Sequence, residues 1–315
     1  MKIGETNFSN CFLSSGSLNF FREGYWYDDW FRVLVPGFKA IDKATFVAKT
    51  TTLNQRAGNM PLDKSFRPKE LKPKCIKVYP LKGVIINAVG LSGPGAKVLL
   101  DTGRWQKLIE PFFISFMAVG SSRTERIEEM KRFVNLLSGY QDRFVTVVGL
   151  QINISCPNTE HSTRDLADEA ISFLKIASDL GLPIDLKINT FVRNEIVKEV
   201  QDSRLCDVLT ISNTIPYGSE GINWEKLFPH GQSPLKNLGG GGLSGKSILP
   251  LVLRRISELR AAGINLPIKG SGGILHIRDV DAMKAAGANA VEIGSVLILR
   301  PWRVAGIVAR AAQIF

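Results

Sequence analysis

From residue 80 onward, short apolar runs alternate with longer stretches whose apolar positions recur every three or four residues. The short runs cover residues 84–89, 112–118, 145–154, 184–188, 208–212, 267–269 and 290–293. They are rich in β-branched residues and read as strands covered on both faces. Between them, residues 123–137, 166–180, 193–201, 246–262, 276–286 and 302–312 read as helices. Leu180-Gly181 and Ala262-Gly263 suit helix C-termini, where glycine relieves a left-handed position. Residues 45–50 add an eighth strand. Alternation of this kind implies a parallel sheet with right-handed crossovers. The pattern therefore predicts a (β/α)8 TIM barrel, one domain over residues 1–315 with residues 1–44 as an N-terminal cap. An open doubly wound sheet is the alternative, but no GxGxxG follows an early strand.

In a β/α barrel the chemistry sits at the C-terminal ends of the strands. The run at 145–154 leads into Cys156, flanked by Asn153 and Asn158, and Pro157 cannot continue a central ladder. Two amides can hold a planar polar ligand by its donor and acceptor edges, and a thiol can take or give a proton. The alternative for Cys156 is a small buried hydrophobe. Lys187 lies inside the apolar run IDLKIN, where an ammonium needs an anionic partner or a chemical task. It suits a Schiff-base nucleophile or a charge beside a reduced cofactor ring. Lys49 in FVAKTTT, Asn87 after VII, and Asn213-Thr214 after VLTIS add polar groups at further strand ends. Each alone suits a loop cap; together they suggest one polar pocket.

Two late strands end in small residues, KGSGG at Lys269–Gly273 and IGS at Ile293–Ser295. Gly272, Gly273 and Gly294 let backbone N–H groups approach a ligand, and late barrel loops commonly bind phosphate. The run GGGGLSG, residues 239–245, reads as a third flexible loop before a helix starting near Ser244, either a phosphate cradle or a simple turn. A flavin phosphate fits these ends better than a phosphorylated substrate.

Composition narrows the rest. At 44% hydrophobic residues the chain can bury a full core. It has no apolar run of roughly eighteen residues for a membrane helix, and its N-terminus lacks the apolar core of a signal peptide. Four scattered cysteines and three histidines show no metal-ligand spacing, which fits a reduced cytoplasmic setting without a metal. The net charge of +11 is dispersed, and the lysine- and proline-rich stretch 64–77 reads as an exposed loop rather than a nucleic-acid site. A positive field also favours anionic substrates and cofactors. The aromatic stretch 12–31 reads as a cap or a subunit contact; a quinone-facing or membrane-surface role is the sharper alternative.

Taken in order, these residues resemble the dihydroorotate dehydrogenase family, the FMN barrels of pyrimidine synthesis. The motifs are LSSG at 13–16, AKTTT with GNMP within 48–61, NAVGLSGPG at 87–95, NISCPN at 153–158, Lys187, SNT at 212–214, GGLSG at 241–245, GSGGI at 270–274 and EIGS at 292–295. The resemblance implies that Cys156 is the catalytic base of the soluble cysteine class. It implies that Lys49, Asn87, Asn153, Asn158, Asn213 and Thr214 hold the pyrimidine substrate. Ser15, Gly16, Lys49, Lys187, Gly245, Gly272, Gly273, Gly294 and Ser295 then match FMN-binding positions. It further implies a homodimer, with a soluble acceptor or an accessory electron-transfer subunit. A dihydropyrimidine dehydrogenase acting on uracil or thymine is the nearest alternative; a Schiff-base lyase or aldolase using Lys187 is a more distant one. Asn189-Thr190 and the stretches 26–43 and 213–239 depart from the family pattern.

Overall fold

The computed structural model describes residues 1–154 and 169–315, so Cys156 and Asn158 lie outside the described residues. Eight parallel strands form the barrel: β1 (Cys11–Leu13), β2 (Thr45–Phe46), β3 (Phe112–Phe116), β4 (Val148–Asn153), β5 (Ile184–Ile188), β6 (Val208–Ile211), β7 (Ile268–Ser271) and β8 (Ala290–Ile293). Sequential strands pair from β3 through β8, and β8 pairs with β1 and β1 with β2. The ring closes just beyond β2, where the Ala48 N–H donates to the Phe113 carbonyl at 2.8 Å and the Thr51 N–H to the Ser115 carbonyl at 2.9 Å. Phe113, Ile114 and Phe116 of β3 are buried, as the unbroken apolar runs required. The helices lie outside; Arg123–Ser138 opens with a capping box in which Ser122 Oγ accepts from the Glu125 N–H at 3.2 Å.

One barrel strand is not where the pattern placed it. Val84–Asn87 is a strand, but it pairs antiparallel with Ile76–Tyr79 and Gly242–Gly245 in a separate four-stranded sheet. Its place in the barrel belongs to Cys11–Leu13, three residues long and too short to show a period of its own. The expected flexible loop before the helix near Ser244 is instead the strand Gly242–Gly245, and the α-helix begins at Leu249 after a 3-10 turn. Gly245 adopts φ +99°, and a Cβ there would stand 2.3 Å from the Gly83 carbonyl oxygen, so strand pairing itself demands glycine.

Residues 1–44 therefore do more than cover the barrel. The hairpin of Lys2–Ile3 and Thr6–Asn7 brings Ile3 and Phe8 against Phe12, Val47, Phe113, Val208 and Ala290, closing the N-terminal mouth. Beyond β1, Phe20 and Phe21 pack with Phe66 and Trp105. The helix Trp26–Leu34 then leads to a 3-10 turn at Phe38–Lys43 that packs on the C-terminal helix Val304–Ile314. Among the described residues no helix is long and apolar enough to cross a membrane, and no cluster of histidine, cysteine or acidic side chains could hold a metal ion.

Candidate active site

A cavity of about 720 Å3 opens at the C-terminal ends of the strands. Its inner wall carries Ser14, Ser15 and Gly16 after β1, Lys49 and Thr50 after β2, Asn153 at the end of β4, Lys187 on β5, and Asn213 and Thr214 after β6. Gly294 and Ser295 complete it after β8. The antiparallel sheet contributes Ile76, Ile85 and Asn87, and the stretch expected as an exposed loop walls the outer side with Pro68, Leu71 and Pro73. Tyr25, Trp26 and Tyr27 line it too; the Tyr25 hydroxyl donates to the Gly16 carbonyl at 2.6 Å and the Trp26 indole to the Leu71 carbonyl at 2.8 Å.

A smaller lobe of about 60 Å3 adjoins it, sharing Ser14, Asn213, Thr214, Gly294 and Ser295 and adding Gly272 and Gly273. Gly272 and Gly273 adopt φ +121° and +78°. A Cβ on Gly272 would stand 2.8 Å from Ile248, and one on Gly273 would stand 2.6 Å from Leu249. At 272–273 only backbone can face this lobe, whose other polar lining includes the hydroxyls of Ser14, Ser212, Thr214 and Ser295, the Asn213 amide and the Glu292 carboxylate.

Polar side chains form one chain across the inner wall. Ser15 and Thr50 hydroxyls lie 2.7 Å apart, and Thr50 is 2.9 Å from the Ser115 hydroxyl. Asn153 Nδ2 donates to Thr50 Oγ1 at 3.2 Å and Asn213 Nδ2 to Asn153 Oδ1 at 3.4 Å. Asn213 Oδ1 accepts the Thr214 N–H at 2.8 Å, fixing the amide's orientation. Lys49 donates to the Ser92 carbonyl and stands 4.7 Å over the Phe20 ring.

Beneath the cavity lies a buried charge cluster. Lys187 Nζ is 2.8 Å from Glu292 Oε1, which also accepts from Ser14 Oγ at 2.9 Å. Glu292 Oε2 takes Lys269 Nζ at 3.2 Å and Gln151 Nε2 at 3.3 Å. Lys269 reaches Asp185 at 2.7 Å, and Asp185 also accepts from Thr210 Oγ1 at 2.8 Å and Gln151 Nε2 at 2.7 Å. Burial alone would raise the Glu292 carboxyl, but the Lys187 and Lys269 ammoniums outweigh it and hold it down at about 2. Burial would lower Lys269, and Asp185 and Glu292 raise it instead. Two anions and two cations thus share the barrel interior, each with hydrogen bonds that compensate its desolvation.

Ten of the expected site residues converge on the large cavity: Ser15, Gly16, Lys49, Asn87, Asn153, Lys187, Asn213, Thr214, Gly294 and Ser295. Gly272 and Gly273 line the small lobe, whereas Gly245 lines neither. The sequence reading passed over Asp185 and Lys269 as charges, and gave Glu292 no role. Their signal was available: Gln151 and Asn153, and Asp185 and Lys187, are two apart, so each pair shares one strand face. A charge in the middle of an apolar strand calls for a buried partner. The described cysteines, Cys11, Cys75 and Cys206, are free and buried and line neither lobe; burial, with Glu292 nearby, pushes the Cys11 thiol up to about 12.

The dihydroorotate dehydrogenase family model matches residues 6–311. The chain is 27% identical over 274 residues to the dihydroorotate dehydrogenase B (NAD(+)) catalytic subunit of Desulforudis audaxviator, covering 85% of this chain and 79% of that one. It is 30% identical to the protein of the same name from Anoxybacillus flavithermus, over 83% of this chain and 76% of that one. It is 29% identical to dihydroorotate dehydrogenase A (fumarate) of Lactobacillus delbrueckii subsp. bulgaricus, over 82% and 76%. Among solved structures, the Eimeria tenella DHODH in complex with ferulenol superposes with a TM-score of 0.68 at 20% identity, over 99% of this chain and 83% of that one. That likeness concerns the fold.

Proposed function

The chain belongs to the dihydroorotate dehydrogenase family, and on that premise we propose that it oxidises dihydroorotate to orotate on a bound FMN. The observation that carries the reading is the convergence of the amide–hydroxyl chain, Lys49 and Lys187 on one cavity with a glycine-walled side lobe. The fit to FMN rests on that shape. The small lobe, where a Cβ would collide at Gly272 and Gly273, offers N–H groups and the Ser295 hydroxyl to a phosphate. The larger cavity has room for a ring system with Lys187 beneath it.

When bound, FMN supplies the acceptor for the hydride that leaves substrate C6. The protein does the rest. The Cys156 thiolate removes the C5 proton as general base. Asn87, Asn153, Asn158, Asn213 and Thr214 orient the pyrimidine ring through its donor and acceptor edges, and Lys49 meets the anionic end of the substrate. Lys187 offsets negative charge that develops over it. Ser15, Gly16, Gly294 and Ser295 set the backbone edge of the cofactor site. Gly245 contributes through the strand pairing that shapes the cavity wall.

A Schiff-base role for Lys187 is disfavoured, because its Nζ is held 2.8 Å from the buried Glu292 carboxylate and 3.4 Å from Ser14 Oγ rather than free to attack a carbonyl. For the electron acceptor, we infer a homodimer served by a soluble acceptor or by an accessory subunit. The names of the relatives, one type using NAD(+) as a catalytic subunit and one using fumarate, support both routes. Steady-state turnover of the purified chain with fumarate, NAD and a quinone in parallel tests this. Turnover with fumarate, or with NAD only once a partner subunit is added, is expected; rapid turnover with quinone alone overturns the assignment.

A further inference from the structure

We infer that Glu292 is the positioning residue for Lys187, and that the four-charge cluster of Asp185, Lys187, Lys269 and Glu292 sets the reduction potential of the cofactor above it. The inference rests on the reading that FMN lies over Lys187. Lys187 is the cluster member that lines the large cavity, and Glu292 lines the small lobe. The rest of the cluster is closed off: Lys269 and Asp185 are fully buried, and Lys269 stands 4.2 Å over the Phe12 ring. Both Glu292 oxygens are occupied, one by Lys187 and Ser14, the other by Lys269 and Gln151. This leaves the carboxylate no freedom to turn away from the lysine.

Formal charges in the cluster sum to zero, so the cavity floor presents an ammonium whose field is partly cancelled from below. In a water-poor interior such a field is only weakly screened. Reduction of a flavin puts negative charge on the pyrimidine end of its ring. The cluster's balance therefore acts on the potential directly, and the sign of each change in charge is fixed in advance. Removing an anion favours the electron-rich ring, and removing a cation disfavours it.

The test uses the FMN-loaded full chain and two readouts other than turnover: the midpoint potential of the flavin, and its affinity for sulfite. Sulfite adds through its sulfur lone pair to flavin N5 and leaves the added negative charge at the pyrimidine end. Glu292→Gln is expected to bind sulfite at least tenfold more tightly and to raise the potential, a tenfold change corresponding to about 30 mV for a two-electron couple. Lys269→Met is expected to weaken sulfite binding at least threefold. The charge-balanced Glu292→Gln/Lys269→Met variant is expected to return within threefold of the wild type. Asp185→Asn removes the other anion, while its amide oxygen can still accept from Lys269 or Thr210. It is expected to shift affinity in the same direction as Glu292→Gln and opposite to Lys269→Met, and it serves if Glu292→Gln fails to fold. Shifts of one common sign, or lowered melting temperatures with unchanged sulfite affinity, overturn the inference and leave the cluster a purely structural one. Failure of the wild-type chain to take up FMN, seen as a colourless protein after FMN addition, would instead refute the cofactor reading.

Discussion

Gly273→Ala separates the cofactor role of the small lobe from ordinary backbone strain, with Gly263→Ala as its partner. Both glycines sit at left-handed φ, +78° and +80°. Alanine there costs roughly 1–2 kcal/mol. Their surroundings differ. A Cβ on Gly263 meets nothing within 4 Å, whereas one on Gly273 lies 2.6 Å from Leu249 Cβ and 2.8 Å from its backbone nitrogen. Leu249 opens a helix whose Val252 and Ile256 are buried in the core, so it cannot step aside cheaply. Overpacking of this kind adds about 1–3 kcal/mol. The expected total is about 2–5 kcal/mol for Gly273→Ala against 1–2 for Gly263→Ala. The backbone at 272–273 must move toward the small lobe, so FMN affinity should fall at least tenfold, about 1.4 kcal/mol, in the first variant and stay unchanged in the second. Thermal unfolding of the flavin-free chains and FMN titration by fluorescence quenching read both quantities. Equal destabilisation by the two variants, or unchanged FMN affinity in Gly273→Ala, would refute the reasoning.

Three further outcomes follow. Burial lifts the Asp28 carboxyl to about 6, against the Tyr25 N–H, Arg32 and Arg67 and with help from Asp29. A folded value above the unfolded one means that its stabilising contribution is full below about pH 4 and is lost as pH rises through 6; Asp28→Asn should thus gain little over wild type at pH 4 and roughly 1–3 kcal/mol at pH 7.5, read by denaturant unfolding, and a gain that does not grow with pH sinks this. Gly149→Ala puts a Cβ 2.3 Å from the Phe113 ring inside the barrel, so its melting temperature should fall by an amount worth about 1–3 kcal/mol or more; a wild-type melting curve would contradict the packing. Cys156→Ala should bind FMN normally yet slow flavin reduction by dihydroorotate by about two or more orders of magnitude in stopped flow, and unchanged reduction would remove Cys156 from the chemistry.

Much of the barrel was legible because its strands are buried on both faces and so stand out as apolar runs, as in FFISF of β3 and VLTI of β6. The strand β1 was missed because three residues cannot show a period, and VIIN was mistaken for a barrel strand because an apolar run carries no information about its partner. The convergence of Asn153 and Asn213 followed from their positions at barrel strand ends, where a barrel gathers residues distant in sequence, whereas Asn87 reaches the same cavity from the antiparallel sheet, which the strand-end argument did not foresee. The charge cluster was overlooked for the opposite reason. Asp185, Lys269 and Glu292 sit on three different strands, β5, β7 and β8, and only the pairing order of the folded sheet brings them together. Gly245 was assigned to the cofactor from its motif, whereas its φ and the nearby Gly83 carbonyl belong to the pairing of two strands.

The central claim is tested most directly by mixing the FMN-loaded chain, without oxygen, with dihydroorotate or dihydrouracil and following the flavin absorbance. The account predicts rapid bleaching by dihydroorotate and little by dihydrouracil, since Lys49 and the strand-end amides are assigned to a pyrimidine that carries a carboxylate. Bleaching by dihydrouracil in preference, or by neither compound, would contradict it.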